Sequence, residues 1–337
     1  MEACDGDGEE CYTMDGVKFG TEIRKKFLLA EGFTNFNHGS FGSVPREVSE
    51  AQRRYSLQCE ARPDKWFRQD YFVCVDSARG MLAKYINSPS EDDVVMVENA
   101  SGAVNSIMRS MNWEAGGVIL YLSSAYAMVK NTAAWLARSS ATANVHNVEV
   151  SLGPDFPMAG DESVLKPLRQ ALMKHAGNIR LLVISHITSV PAVTMPVAQI
   201  LALARSHEAT AGALPFPILV DGAHALGQIH VDLQASRPLL SLSPQSLLIS
   251  ITLQPLFNFL GSSHMAFIAL QAMGDPDFYV SNAHKWLYAP KGSALLYVRR
   301  DRQKPDFPEP TVISSSGNHP KSTLCLHPRM LTYADVC

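Results

Sequence analysis

The chain has 337 residues, with 29 Lys and Arg against 32 Asp and Glu. Its formal net charge of −3 offers no field to draw nucleic acid or an anionic membrane surface. Hydrophobic residues make up 46% and charged residues 18%, enough to bury a large core and leave a small molecule as the expected partner. Six cysteines, Cys4, Cys11, Cys59, Cys74, Cys325 and Cys337, stand too far apart for paired zinc ligands, so no metal is expected and a reduced compartment is the simpler setting. Met1 to Glu10 is acidic and lacks an apolar run, so no secretory signal or Arg-rich transit peptide is visible, and the cytoplasm is the expected location.

In chain order, residues 1–32 form a polar leader. Pro45 to Glu60 predicts a helix with proline in its first turn, and Phe72 to Ile86 a second, amphipathic one. From there the pattern alternates. Apolar runs at Val94–Val97, Val118–Leu122, Val145–Val150, Arg180–Ile184 and Pro217–Val220 predict strands. Helical patterns near Ala103–Met111, Val129–Arg138, Ser163–His175 and Val197–Ser206 separate them. Such alternation predicts an α/β fold with a mainly parallel central sheet covered on both faces, whose ligands bind at the carboxyl ends of the strands.

Two stretches break this pattern. Residues 236–271 are rich in Ser and Leu, carry Arg237 as their fixed charge, and lie between Leu233-Gln-Ala235 and Leu270-Gln-Ala272. They read as an atypical insertion into a continuous unit; Gln254, Asn258 and Gly261-Ser-Ser-His264 interrupt the apolar run and argue against a membrane span. Residues 304–337 read as an irregular, truncated tail. The expected domain is therefore 33–303.

Several residues could carry chemistry. Asp221 follows the apolar run Ile218-Leu-Val220, where a carboxylate can hold a protonated pyridine nitrogen or simply cap the next helix. Lys285 sits among Ser281, His284 and Trp286 after the strand-like Asp277–Val280. A desolvated lysine there would have a lowered pKa and act as a nucleophile, the alternative being a lysine snorkelling beside Trp286. Asn99-Ala-Ser-Gly-Ala103 joins a strand to a helix, a place suited to a phosphate, with a plain cap at Ser101 as the simpler reading. Tyr126 could stack on an aromatic ring or be buried at a helix start. Asn37-His-Gly-Ser-Phe-Gly42, with two glycines and three polar side chains, reads as a ligand-contacting loop or a tight turn.

These residues resemble the class V aminotransferase family of fold-type I pyridoxal-phosphate (PLP) enzymes. The nearest branch is the isopenicillin-N-epimerase-like, cysteine-desulfhydrase-like and hercynylcysteine-sulfoxide-lyase-like group. The resemblance runs from about Phe33 to Arg300 outside the insertion. It rests above all on Val220-Asp-Gly-Ala-His-Ala-Leu-Gly227 and Asp277-Phe-Tyr-Val-Ser-Asn-Ala-His-Lys-Trp-Leu287, with Asn37–Gly42, Pro63-Asp64, Asn99–Asn105 and Ser185-His-Ile-Thr-Ser189 in support. It implies that Lys285 is the Schiff-base lysine and moves the substrate α-proton. Asp221 would pair with the pyridine nitrogen, and His224 with the ring hydroxyl. Ser101, the Gly102 amide, Ser281 and His284 would hold the phosphate, Tyr126 would stack on the ring, and Asn37 and His38 would lie near the substrate carboxylate.

The chain departs from the family at Ser101 and Gly102, where many members have two threonines, and at Ser189, where desulfurases carry an asparagine near the ring hydroxyl. The resemblance further implies a PLP-binding large domain with the C-terminal small domain largely missing, an amino-acid substrate and a homodimer. The favoured reaction is C–S cleavage of cysteine or a cysteine conjugate. Epimerisation and transamination by the same family are alternatives, as is a truncated, catalytically silent PLP-fold protein. An α/β hydrolase or nucleotide binder lacks support, since neither a Gly-x-Ser-x-Gly elbow nor a Gly-Lys-Ser phosphate loop occurs.

Overall fold

The computed structural model describes residues 20–139, 145–211, 215–234 and 274–303. The expected insertion at 236–271 and tail at 304–337 lie outside the described residues, as does most of the polar leader.

The first segments form α1 (Thr21–Arg24), α2 (His38–Phe41), α3 (Arg46–Ala61), α4 (Pro63–Lys65) and, after a π-helical turn over Trp66–Asp70, α5 (Tyr71–Tyr85). Pro45 sits just before α3, where its fixed φ and missing N–H cost nothing. Strands and helices then alternate: β1 (Val94–Val97), α6 (Ala100–Ser110), β2 (Val118–Leu122), α7 (Ala127–Arg138), β3 (His146–Val150), α8 (Glu162–Lys174), β4 (Ile179–Ser185), α9 (Val197–Ala211) and β5 (Ile218–Asp221). After residue 274 come β6 (Phe278–Asn282) and β7 (Ala294–Val298).

Seven strands pair in the order β1-β7-β6-β5-β4-β2-β3. The ladders β3/β2, β2/β4, β4/β5 and β5/β6 are parallel. β7 runs antiparallel to both β6 and β1, so β1 points the same way as β6. The carboxyl ends of β1, β4, β5 and β6 therefore share one edge, and the candidate residues lie there.

Each central strand feeds two cores because side chains alternate across a sheet. Leu120, Leu122, Leu182, Ile184 and Val220 pack on one face with Leu82 of α5, Leu168 and Leu172 of α8 and Ile200 of α9. Ile119, Tyr121, Leu181, Val183 and Leu219 pack on the other with Val104 and Ile107 of α6 and Val129 and Leu136 of α7. Burial on both faces explains why these strands read as continuous apolar runs rather than alternating ones.

The opposite edge is tied down by charge. Asp277, fully buried just before β6, meets Arg205 Nη2 at 2.5 Å, Arg302 Nε at 2.6 Å and Arg299 Nη2 at 2.7 Å. It also accepts the Ile218 N–H at 2.7 Å. Among the described residues, no helix is long and apolar enough to cross a membrane.

Candidate active site

Lys285 lies in the turn that follows β6, and its Nζ stands 3.1 Å from His224 Nε2, in the turn that follows β5. Burial pushes the Lys285 ammonium below the usual lysine range, and the neighbouring Asp221 carboxylate partly offsets this. Burial, and then the Lys285 charge, push His224 down to about 4. At neutral pH the imidazole therefore accepts from the lysine, and less costly loss of a proton makes Nζ a better nucleophile.

Asp221 ends β5 and is 5% exposed. Its Oδ1 accepts the Ala223 N–H at 3.1 Å, and no other hydrogen bond reaches the carboxylate among the described residues. Burial pushes it above the usual carboxylate range, with the Ala223 N–H and Lys285 pulling it back. A buried carboxylate with spare acceptor capacity is a site for a cationic N–H.

Lys285, Asp221 and His224 line a cavity of about 170 Å³ together with Ser101, Tyr126, Ser189 and His284. Ser101 sits in the first turn of α6, where its hydroxyl and the positive end of the helix dipole favour an anion. Tyr126 precedes α7 and stays half-exposed, with its ring available to a planar ligand. His284 is turned by its Nδ1 contact to the Ser293 carbonyl at 2.8 Å; burial pushes it down, the carbonyl opposes this, and Lys285 and Lys291 add to the fall. No group of His, Cys, Asp or Glu able to hold a metal ion occurs among the described residues.

Four expected site residues are placed differently. Gly102 is outside the cavity lining, and its N–H is already bound at 2.8 Å by Asn99 Oδ1. Asn99, not Ser101, is thus the cap of α6: its extended backbone lets the short amide side chain fold back over the first turn. Ser281 is fully buried inside β6 and its hydroxyl donates to the Gly222 carbonyl, so it braces the Asp221 turn instead of facing the cavity.

Asn37 and His38 also lie outside the lining. Residues 38–41 form a helical turn rather than an open loop, and Asn37 Oδ1 accepts from Ser40 at 2.6 Å. His38 is engaged by backbone on both ring nitrogens: Ser43 N–H donates to Nδ1 at 3.2 Å, and Nε2 lies 3.0 Å from the Lys285 carbonyl.

The residues that sequence reasoning missed include Asn282, Ser185 and Met128, which line the cavity. Asn282 Oδ1 accepts the first N–H of α6, from Ala100, at 2.8 Å. Strand parity holds the signal: β6 continues to Asn282, so Asn282 points opposite to Ser281. Ser185 stands beside Asp221 in the β4/β5 register, and its neighbours in sequence carried no hint of that pairing.

The family model for class-V aminotransferases matches residues 36–245. The chain belongs to the class-V aminotransferase family. An L-cysteine desulfhydrase of Arabidopsis thaliana is similar, 26% identical over 315 residues covering 90% of this chain and 58% of that protein. Hercynylcysteine sulfoxide lyase of Schizosaccharomyces pombe is 23% identical over 83% of this chain and 58% of its own length. Isopenicillin N epimerase of Streptomyces clavuligerus is 25% identical over 90% of this chain and 62% of its length. The chain spans about half the length of the curated relatives it matches.

Among solved structures, the cystine C-S lyase C-DES, in complex with its product cysteine persulfide, aligns with TM-score 0.58 at 20% identity, covering 80% of this chain and 58% of that one. The cysteine desulfurase of Thermococcus onnurineus NA1 aligns with TM-score 0.55 at 16% identity, over 83% of this chain and 57% of that one. The fold is shared with these proteins, as expected for an α/β large domain with a mainly parallel sheet.

Proposed function

We propose that residues 33–303 form the PLP-binding large domain of a C–S lyase that acts on cysteine or a cysteine conjugate. The observation that carries this reading is the joint placement of Lys285, Asp221 and Ser101 around one cavity at the carboxyl edge of the sheet. The donor set fits PLP: an amine of lowered basicity for the aldehyde, a buried carboxylate with spare acceptor capacity for the ring nitrogen, and a helix start for the phosphate. When bound, PLP supplies an electron sink for a carbanion beside the substrate nitrogen.

The chain's own residues do the rest. Lys285 Nζ would hold the cofactor through its aldehyde carbon, and the same amine would take the proton from the substrate α-carbon. Asp221 would hold the ring nitrogen in its protonated form. His224, which lies against Lys285, would bond the ring hydroxyl, Ser101 and His284 would hold the phosphate, and Ser189 and Tyr126 would hold the ring. Sulfur chemistry is favoured because similar relatives are named cysteine desulfhydrases and a sulfoxide lyase. Epimerisation, supported by the isopenicillin N epimerase relative, would use the same residues.

The same reading makes the protein a homodimer. Tyr55 and Leu57 of α3 are exposed, as are Phe36 and Phe41 shortly before it in sequence; a second copy covering these apolar side chains would account for them. The cytoplasm is the proposed compartment, in keeping with the free Cys59 and Cys74 thiols.

Spectral titration with PLP tests the cofactor claim. A visible-edge band that borohydride removes, and that Lys285→Ala lacks, is expected. A screen of cysteine and its sulfoxide conjugates then reads pyruvate, ammonia and racemised product. Absence of the band in the wild-type chain would overturn both cofactor and activity.

A further inference from the structure

Residues 20–45 wrap over the outside of the turn that carries Lys285. Phe27 packs on Tyr288 at 5.7 Å between ring centroids, and His38 packs on Trp286 at 4.7 Å and on Tyr288 at 4.9 Å. Lys291 Nζ donates to the Gly42 carbonyl at 2.6 Å. Gly42 has φ +69, and a Cβ there would collide with the His284 carbonyl oxygen, so only glycine lets the two segments approach this closely.

His38 stands at the centre of these contacts. Because Ser43 N–H donates to Nδ1, the ring proton resides on Nε2, which donates to the Lys285 carbonyl at 3.0 Å. That carbonyl also accepts the Tyr288 N–H at 3.2 Å. Its two lone pairs are thereby filled, one from inside the turn and one from the strap. The turn needs such support: Tyr288 adopts φ 58, a left-handed backbone that a bulky residue holds only under constraint.

We propose that His38 is a positioning residue, which clamps the Lys285 main chain through its carbonyl and so aims the lysine side chain into the cavity. This rests on the reading of Lys285 as the cofactor-bonding lysine. It also replaces a role for His38 in reading the substrate carboxylate, since neither ring nitrogen is left for a substrate and the residue is outside the cavity lining.

Hydrogen exchange of the PLP-free protein tests the clamp directly, because the Tyr288 and Ala289 N–H groups bond within the turn, to the carbonyls of Lys285 and Ala283. His38→Phe keeps a ring for stacking and loses both hydrogen bonds; His38→Gln keeps a donor. Exchange of these two amides should quicken about tenfold in His38→Phe, the effect of losing one hydrogen bond on local opening, and much less in His38→Gln. Formation of the borohydride-trapped Lys285–PLP bond should slow by a similar factor in the absence of any amino acid.

Unchanged exchange in His38→Phe, or a defect seen only in cysteine binding, would overturn the clamp. If His38→Phe does not fold, Gly42→Ala, which pushes the strap off the turn with His38 intact, must raise exchange at the same amides, and failure to do so overturns it equally. Should the wild type form no trapped bond with PLP, the reading of Lys285 fails while the exchange result still decides for or against the clamp.

Discussion

Lys285 and His224, separated in sequence by the whole stretch between β5 and β6, meet side chain to side chain at 3.1 Å. Both are pushed down by burial; the Lys285 charge adds to the fall of His224, and Asp221 opposes that of Lys285. The lysine is thus held where its proton is easily lost, with the Asp221 charge acting against that loss.

Asp221→Asn should therefore lower the pH at which Lys285 becomes reactive, since Asp221 is the group that raises it. Pulse labelling of the cofactor-free chain with an amine reagent across pH, read at Lys285 by mass spectrometry, measures the midpoint. A midpoint that stays put or rises contradicts the geometry. The same substitution should weaken PLP binding by roughly 10- to 100-fold, the loss of one charge-assisted hydrogen bond.

Stability should fall in acid through a second histidine. His186 is buried behind Asp221, its Nδ1 3.0 Å from the Tyr279 hydroxyl, and burial pushes it down to about 4 from 6.5. Burial also holds the Tyr279 hydroxyl protonated, so it donates to the neutral ring. The unfolded chain takes up a proton near 6.5 and the folded chain only near 4, so this contribution is full above 6.5 and is lost as pH falls to about 4. For a group this buried the loss is about 3 kcal/mol, with a smaller loss in the same direction from the more open His224. Denaturant midpoints measured over that window should slope less steeply in His186→Gln than in the wild type.

Removing the buried carboxylate at the other edge should cost more. Asp277→Ala leaves Arg205, Arg299 and Arg302 facing one another without their shared anion. The expected loss is about 3 to 5 kcal/mol, visible in equilibrium denaturation; a change under 1 kcal/mol would mean that water replaces the carboxylate.

Gly227→Ala should disturb the site without touching a cavity side chain. Gly227 has φ +84, and a Cβ there would run into the Trp286 carbonyl, one residue past the lysine. Strain of about 1 to 3 kcal/mol should be partly relieved by displacement of the 283–287 turn. The readout is slower covalent PLP attachment with near-wild-type far-UV circular dichroism; normal attachment would show that the turn tolerates the shift.

Much of the molecule was legible in the chain itself. The runs at 94–97 and 118–122 became β1 and β2 at the expected residues, because strands buried on both faces announce themselves by uninterrupted apolar content. Helix ends were read less well. α6 begins at Ala100 rather than Ala103, since Asn99 caps it and the first turn is small and polar rather than apolar. α9 runs to Ala211, past the point where its apolar pattern fades.

Lys285, Asp221 and His224 were singled out in the sequence by the motifs around them, Asp221-Gly-Ala-His224 and Ser281-Asn-Ala-His-Lys-Trp-Leu287, and the fold brings all three to one cavity. Residue type alone could not say which neighbours face the ligand. Ser281 and Asn282 are equally polar and adjacent, yet the pleat of β6 turns the first toward the Gly222 carbonyl and the second toward the cavity and the start of α6. His38 carried the same ambiguity: a histidine in a glycine-containing turn reads as a ligand contact until packing against Trp286 and Tyr288 commits both its nitrogens to backbone.

The sequence by itself determined the α/β alternation and most of the strands, because hydrophobic period is a local property, and through its resemblance to a family it singled out Lys285 as the candidate lysine. Only the tertiary structure decided that Asp221 and Lys285 share a cavity, that three arginines converge on Asp277, and that the 20–45 strap grips the lysine turn. Those are long-range contacts, fixed by strand order and pleat, and no short window of sequence encodes them.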